Sequence, residues 1–82
     1  MLTLYVETGC AFSQKVLDMG EALGLEFNLK NIAEPGVTEE LIERGGRKQL
    51  PFLVDDENDV EMYDSQDIVQ YLAEHYGPIP PQ

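Results

Sequence analysis

The sequence predicts an α/β fold with a four-stranded mixed sheet and three helices, in the order β-α-β-α-β-β-α. Short apolar runs indicate buried strands, and apolar residues that recur every three or four positions indicate helices. Glycine or proline marks most of the places where one pattern gives way to the next. With 82 residues, the chain has room for one modest core. We therefore predict a single domain at residues 1–77, followed by a C-terminal tail at residues 78–82.

The first part of the chain predicts a strand, a helix and a second strand. Residues 2–6 form an apolar run typical of a short buried strand, and Thr8 and Gly9 end it with a turn. A helix follows and ends at Gly24. Its apolar stripe consists of Phe12, Val16, Met19 and Leu23. Residues 25–32 alternate apolar and polar side chains, which indicates a strand with one covered face. Because a helix connects them, the two strands are expected to be parallel.

The middle of the chain predicts a short helix and then a hairpin. Thr38 is the expected N-cap of a helix that has acids in its first turn and ends at Gly45. Residues 50–54 and residues 60–63 are apolar, and the acidic segment DDEND between them has the length of a hairpin connection. We therefore expect an antiparallel pair of strands joined by a solvated turn.

A third helix completes the predicted fold. Asp64 and Ser65 are good N-cap residues, and Gly77 ends the helix. Its apolar positions are Ile68, Val69, Leu72 and Tyr76. A mixed sheet covered by helices in this order is an α/β sandwich of the thioredoxin type.

The charge of the chain argues against several partners. Sixteen acids and five bases give a formal net charge of −11, which repels nucleic acid and anionic membranes. We see neither a secretory signal nor an apolar stretch of bilayer length. The expectation is therefore a soluble, cytoplasmic and monomeric protein that binds neither nucleic acid nor membrane.

Cys10 is the one cysteine of the sequence, so it cannot form an internal disulfide here. The predicted turn places it at the start of a helix, where free backbone N–H groups and the helix dipole favour a thiolate. Ser13 can add a hydroxyl and an amide. The alternative is a cysteine that merely packs in the core, but its small and polar neighbours favour a reactive thiol. We predict no metal site, because the single histidine, His75, lies at the far end of the last helix.

Three separated motifs carry a family resemblance: CAFS, QLPFLVD and MYDSQDIVQYL. In this order they resemble the glutaredoxins and the closely related amino-terminal domain of glutathione transferases, from the first strand to Tyr76. The resemblance implies a thiol-disulfide oxidoreductase with glutathione as its co-substrate. Cys10 would be the catalytic nucleophile, with Thr8 and Ser13 as active-site support. Phe12 would either flank the ligand or enter the core stripe of its helix.

The resemblance also implies a site for glutathione. The family has a cis proline, which Pro51 matches, and Leu50 would pair with the cysteinyl backbone of the tripeptide. An ordinary edge-strand proline is the alternative. Asp64 and Ser65 match an acid and serine pair at a helix start, where free amides would hold the γ-glutamyl carboxylate. Helix capping alone would also explain that pair.

Three of the five bases lie in segments that the predicted fold brings toward Cys10: Lys15, Arg47 and Lys48. In the family, a base just before the proline motif meets the glycine carboxylate of glutathione, so Arg47 or Lys48 would take that role. Isolated surface bases are the alternative.

The departures from the family pattern shape the predicted mechanism. Ser13 replaces the second cysteine of dithiol members, so the resemblance implies a monothiol enzyme that reduces glutathionylated proteins or small mixed disulfides. One alternative is a dimer that carries an iron–sulfur cluster on two copies of Cys10 and two glutathiones, although Ala11 replaces the glycine of the cluster-binding CGFS class. The other is a non-catalytic module that binds glutathione or a protein, because Glu7 and Thr8 stand where the family often has a lysine.

Overall fold

The structure is a computed structural model that describes residues 1–77, and it has the predicted order β-α-β-α-β-β-α. The strands are β1 (Leu2–Val6), β2 (Phe27–Asn31), β3 (Phe52–Asp55) and β4 (Val60–Tyr63). The helices are α1 (Ala11–Ala22), α2 (Val37–Gly45) and α3 (Ser65–Tyr76). None of these helices is long and apolar enough to cross a bilayer. The predicted tail, residues 78–82, lies outside the described residues.

The four strands form one mixed sheet in the order β2-β1-β3-β4. β1 pairs in parallel with β2 and antiparallel with β3, and β4 closes the hairpin with β3. Leu4 at the centre of β1 lies opposite Leu29 on one side and Leu53 on the other. The thioredoxin-like α/β fold predicted from the sequence is therefore confirmed.

The sheet has a hydrophobic core on each face, because successive side chains of a strand point to opposite sides. On one face α1 and α3 cover the sheet. The fully buried residues there are Leu4, Val16, Leu53, Ile68 and Leu72. On the other face α2 is the cover. The buried residues there are Tyr5, Val37, Leu41, Phe52 and Val54. Neighbouring residues of one strand thus pack into different cores, as Leu4 and Tyr5 do.

A polar anchor fixes α2 to the sheet. The hydroxyl of Tyr5 donates to Glu40 over 2.6 Å, and the Lys30 ammonium lies 2.9 Å from the same carboxylate. Burial and the Glu40 carboxylate raise the pKa of Tyr5 to about 12. The anchor ties β1, β2 and α2 together at one point.

Three predicted boundaries differ from the structure. β2 spans Phe27–Asn31 rather than residues 25–32. The N-cap of α2 is Gly36, with φ 84°, so the prediction that Thr38 caps this helix is wrong. Glycine has no Cβ and takes this left-handed conformation readily, whereas Thr38 lies in the first turn and donates to the Ile32 carbonyl oxygen at 3.4 Å. β3 begins at Phe52 rather than at residue 50, after a proline that has no N–H to give to a ladder.

Two side chains differ from the predictions in whether they are buried or exposed. Leu29 was expected on a covered face, but it is 51% exposed because β2 is an edge strand and this position opens into a cavity. Asp55 was expected in a solvated turn, but it is fully buried at the end of β3. Its carboxylate accepts hydrogen bonds from the Tyr71 hydroxyl at 2.5 Å and the Tyr76 hydroxyl at 2.6 Å. These donors replace the water that burial removes.

Candidate functional site

Cys10 lies at the junction between β1 and α1, where the sequence predicts it. The chain leaves β1, turns at Gly9 with φ 83°, and makes Cys10 the N-cap of α1. The Cys10 N–H donates to the Glu7 carbonyl oxygen at 3.1 Å, and its own carbonyl oxygen accepts from the Gln14 N–H at 3.0 Å. The side chain is half-buried, so the thiol is not sealed in either core.

The surroundings of the sulfur favour its anionic form. The backbone N–H of Ser13, then its hydroxyl, and more weakly the N–H of Phe12 hold the pKa of the Cys10 thiol below its ordinary value. Partial burial and the Glu7 carboxylate oppose this effect and raise the pKa. Cys10 is itself the N-cap of α1, so the positive end of the helix dipole also favours the thiolate. The net direction is toward a more acidic thiol.

Ser13 supports this arrangement from inside the fold. It is buried, and its hydroxyl oxygen accepts the Glu7 N–H at 3.4 Å. Because the oxygen is the acceptor there, its hydrogen remains free to point toward Cys10. Ser13 thus lies beside Cys10 in the fold, and its role as active-site support stays a prediction.

A cavity of about 260 Å³ brings together residues from three distant segments of the chain. Its lining consists of Phe12, Gln49, Leu50, Asp64 and Ser65. Four of these five residues belong to the predicted site, and Gln49 is the one that was not predicted. The Leu50–Pro51 peptide bond is cis, as the family resemblance implies, and Pro51 itself is buried beside the cavity wall.

The start of α3 forms the polar wall of this cavity. Asp64 is the N-cap, with φ 75°, and its carboxylate accepts the Gln66 N–H at 2.9 Å. Its predicted capping role is confirmed. Ser65 follows as the first residue of the helix and is buried. Free backbone amides of a first helical turn suit a carboxylate ligand.

Phe12 also lines this cavity and is 64% exposed. Of its two predicted positions, the structure excludes the core stripe, and the prediction that Phe12 flanks a ligand stays a prediction. The inward positions of α1 are instead Ser13, Val16 and Gly20, which follow one another at steps of three and four. A helix rotated to bury Ser13 turns the neighbouring aromatic side chain outward.

A second cavity, of about 230 Å³, lies at the Cys10 turn. Thr8, Cys10 and Ser13 line it together with Leu17 and Leu29. Cys10 therefore borders this second cavity, whereas the predicted glutathione residues border the first. Asn31 also lines it and donates to the Thr8 hydroxyl oxygen at 2.7 Å. Asn31 is not among the residues predicted from the sequence, because its partner is 23 positions away.

The three predicted cations line neither cavity. Lys15 is exposed on α1, and Lys48 is exposed before Gln49. The Arg47 guanidinium lies 4.5 Å above the centre of the Tyr63 ring. Within residues 1–77 none of the three forms an ion pair, in contrast to Lys30 and Arg44. Their charge thus remains available to an anionic ligand.

Within residues 1–77, no group of three or more His, Cys, Asp or Glu side chains is placed to hold a metal ion.

Comparison with protein families gives one match over most of the chain. The family model described as "Glutathione S-transferase, N-terminal domain" matches residues 4–80. No curated protein matches the chain.

Solved structures of glutathione S-transferases have a similar fold. A delta-class glutathione transferase from Nilaparvata lugens is 30% identical with a TM-score of 0.81, and 96% of this chain aligns with 38% of that one. A glutathione S-transferase from the Antarctic clam Laternula elliptica is 28% identical with a TM-score of 0.81, with 96% and 36% covered. "Glutathione S-transferase unclassified 2" from Bombyx mori also has a TM-score of 0.81, with 95% and 37% covered, but at 23% identity it supports the fold alone. The chain thus spans less than two fifths of these structures' lengths.

Proposed function

Because the chain belongs to the glutathione S-transferase N-terminal domain family, we propose that its first cavity binds glutathione and that Cys10 exchanges disulfides with it. The family membership confirms the transferase part of the resemblance. The glutaredoxin-like monothiol activity remains part of the proposal.

The glutathione part of the proposal is supported by the lining of the first cavity. The N-terminus of α3, at Asp64 and Ser65, offers amides to the γ-glutamyl carboxylate. Leu50 on the facing segment offers its backbone to the cysteinyl unit in the manner of a strand. Phe12, which follows Cys10 closely in the chain, lines the same cavity. The proposal requires that a tripeptide bound there directs its sulfur toward Cys10, which lines the second cavity.

The observation that carries the redox part is the accessible, acidified thiol at the start of α1. A thiolate is the reactive form of cysteine, and the groups of Ser13 shift Cys10 toward it. The second cavity gives the departing half of a disulfide a place beside the same sulfur.

The proposed reaction has two exchange steps. The Cys10 thiolate attacks the glutathionyl sulfur of a mixed disulfide, so that a Cys10–glutathione disulfide forms and the substrate leaves as a thiolate that takes a proton from water. A second glutathione thiolate then attacks the glutathionyl sulfur on Cys10, which releases glutathione disulfide and regenerates the Cys10 thiolate. Ser13 cannot resolve the intermediate, since a hydroxyl does not form a disulfide. The substrates are glutathionylated proteins or small mixed disulfides, and a reducing compartment such as the cytoplasm suits the need for reduced glutathione.

A glutathionylated fluorescent peptide tests this proposal. We expect the protein with reduced glutathione to release the peptide thiol, and Cys10→Ser to lose this activity to the uncatalysed rate. Ala73→Ser is the matched control, because it adds the same hydroxyl at an exposed position of α3 and should keep full activity. Equal rates for the wild-type protein and Cys10→Ser would refute the redox step.

One observation favours a second candidate, a module that binds glutathione without turnover. The exposed Glu7 carboxylate opposes the Cys10 thiolate. Binding of S-methylglutathione by a protein whose peptide-release rate equals that of Cys10→Ser would select this candidate. No observation on residues 1–77 favours the iron–sulfur alternative, so it is not proposed.

A further inference from the structure

We propose that the second cavity is a subsite for a lysine or arginine side chain that neighbours the glutathionylated cysteine of a protein substrate. Glu7 is the carboxylate that recognises the cation of this side chain. The inference rests on the proposed function, because it names the class of substrate that reacts with Cys10. It does not depend on which residues hold glutathione in the first cavity.

The second cavity combines an apolar wall with a carboxylate. Val6, Leu17 and Leu29 supply the apolar surface, and Glu7 belongs to the same lining. Leu29 is exposed on the edge strand β2, so a ligand can cover it. Lysine and arginine side chains match this division, because the aliphatic stem packs on apolar surface while the charged end stays at a polar rim.

The size of the cavity suits a single side chain. Its volume of about 230 Å³ is below the ~300 Å³ at which sites for drug-sized ligands begin. One long side chain of a protein substrate therefore fits it better than a whole small molecule does.

The charges at the cavity favour a cation. Within residues 1–77 no lysine or arginine lines it, and the exposed Glu7 forms no ion pair. Gln14 also lines the cavity, and its amide N–H donates to Asp18, which leaves its side-chain oxygen free to accept a hydrogen bond. The net charge of −11 also attracts basic partners and repels acidic ones.

Cys10 lines the same cavity, so the subsite adjoins the proposed reaction. In the first exchange step one glutathionyl sulfur separates the substrate sulfur from Cys10 Sγ. Two S–S distances of ~2 Å each thus keep the substrate sulfur within about 5 Å of Cys10 Sγ. Consecutive residues of the substrate are ~3.8 Å apart, so the side chain next to the reacting cysteine begins close to the cavity.

A bound cation would also relieve the effect of Glu7 on the thiol. The Glu7 carboxylate raises the pKa of Cys10 and thereby opposes its reactive form. A lysine or arginine of the substrate neutralises this carboxylate on binding. The thiolate is therefore opposed least in the complex in which it reacts.

Peptide-release assays with three substrates test this inference. The glutathionylated fluorescent peptides are identical except that lysine, norleucine or glutamate follows the reacting cysteine. Norleucine keeps the aliphatic stem and lacks the ammonium group. At low ionic strength we expect the lysine-to-norleucine ratio of kcat/KM to be about two- to fivefold higher for the wild-type protein than for Glu7→Gln, the factor for an exposed ion pair. The glutamate peptide should gain from Glu7→Gln, because a like charge is removed.

Comparing ratios removes two other effects of the variants. The intrinsic reactivity of each peptide is the same for every variant, and a change in the reactivity of Cys10 affects all three peptides alike. Asp18→Asn is the matched control, because it removes the same charge from α1 outside the cavity and should keep the wild-type ratio. Leu29→Ser removes part of the apolar wall and should lower kcat/KM for the lysine and norleucine peptides by a similar factor.

Two outcomes would overturn the inference: an equal lysine-to-norleucine ratio for the wild-type protein and Glu7→Gln, or an equal fall of this ratio in Glu7→Gln and Asp18→Asn. The first means that Glu7 recognises no cation, and the second that the net charge alone attracts the peptide. Peptide release by the wild-type protein that is no faster than by Cys10→Ser, whichever residue follows the cysteine, would instead overturn the proposed function itself.

Discussion

Glu7 and Ser13 act on the Cys10 thiol in opposite directions. The backbone and hydroxyl of Ser13 lower the pKa of Cys10, whereas the Glu7 carboxylate raises it. The proposed chemistry needs the thiolate at neutral pH, and an ordinary cysteine, with a pKa of about 8.5, is mostly protonated there. The balance between these two neighbours therefore sets the reactivity of the site.

Neutralising Glu7 tests this balance directly. In Glu7→Gln we expect the pKa of Cys10 to fall, because an opposing negative charge is removed from the vicinity of the thiolate. Ser13→Ala should raise the pKa, since the hydroxyl is lost. The measurement is the rate of iodoacetamide alkylation as a function of pH, which reports Cys10 alone because the chain has one cysteine.

Asp18→Asn is the control for this experiment. It removes one negative charge from the exposed side of the same helix, where Asp18 accepts a hydrogen bond from Gln14. We expect a profile like that of the wild-type protein. An equal shift in Asp18→Asn and Glu7→Gln would mean that net charge, and not the position of Glu7, controls the thiol.

The residues predicted from the sequence are those whose role follows from their own segment. A cysteine after a turn and before a helix, and an acid at a helix start, are placed by local rules, so Cys10 and Asp64 were predicted. Gln49 and Asn31 were missed because each becomes part of a cavity only when segments distant in sequence come together. Asn31, for example, becomes informative only when β2 pairs with β1 and brings it to Thr8, 23 positions earlier.

At the scale of elements, Asp55 connects the β3–β4 hairpin to α3. Its carboxylate accepts from Asn58 within the hairpin turn at 2.9 Å and from the hydroxyls of Tyr71 and Tyr76 on α3. Burial raises the pKa of Asp55, but the hydrogen bonds from the two tyrosines and Asn58 outweigh it and hold the pKa well below its usual range. The folded state thus favours the ionised form strongly.

We expect Asp55→Asn to lower the free energy of unfolding by about 1–3 kcal/mol near neutral pH, because tyrosine hydroxyl donors lose a charged acceptor in a buried place. Since the pKa of Asp55 is lower in the folded than in the unfolded chain, its stabilisation is complete above the unfolded value of about 3.9 and decreases below it. Chemical unfolding at a series of pH values measures both effects.

Tyr76→Phe provides the comparison for Asp55→Asn. It removes one donor and leaves Asn58 and Tyr71 on the carboxylate, so its cost near neutral pH should be smaller. The stabilities of the wild-type protein and Asp55→Asn should approach each other as the pH falls below about 3.9. A difference that stays constant into that range would contradict the role given to the ionised carboxylate.

The order of helices and strands was predictable because each segment carries its own hydrophobic period. The predictions that were wrong concern the burial of particular side chains. Asp55 belongs to an acidic run that is typical of a solvated turn, and its burial depends on two tyrosines of the last helix. Leu29 follows the alternation of a covered strand but lies on the edge strand β2. Periodicity indicates which side of a strand is apolar, whereas the topology decides whether anything covers it.

At the scale of the whole molecule, the protein carries a formal net charge of −11, and few of its acids are in ion pairs. Within residues 1–77 Lys30 and Arg44 are the basic side chains that form ion pairs, and they engage three of the sixteen acids. The sheet is about 14 Å wide at a strand spacing of ~4.8 Å. Charges on all sides of so small a domain repel one another at low ionic strength, where the Debye length of ~30 Å exceeds that width.

Salt should therefore stabilise this protein near neutral pH. Raising the ionic strength from about 0.01 M to about 0.15 M shortens the Debye length to ~8 Å, which screens repulsion across the domain more than attraction within ion pairs. We expect Tm to rise, by about 4–8 °C for each kcal/mol gained in a domain of this size. Thermal unfolding with sodium chloride and a thiol reductant measures this rise.

Near the isoelectric point of about 4.1 the net repulsion vanishes, so the same salt should leave Tm almost unchanged. A Tm that falls with salt near neutral pH would mean that the pairs of Lys30 and Arg44 outweigh the excess of acids.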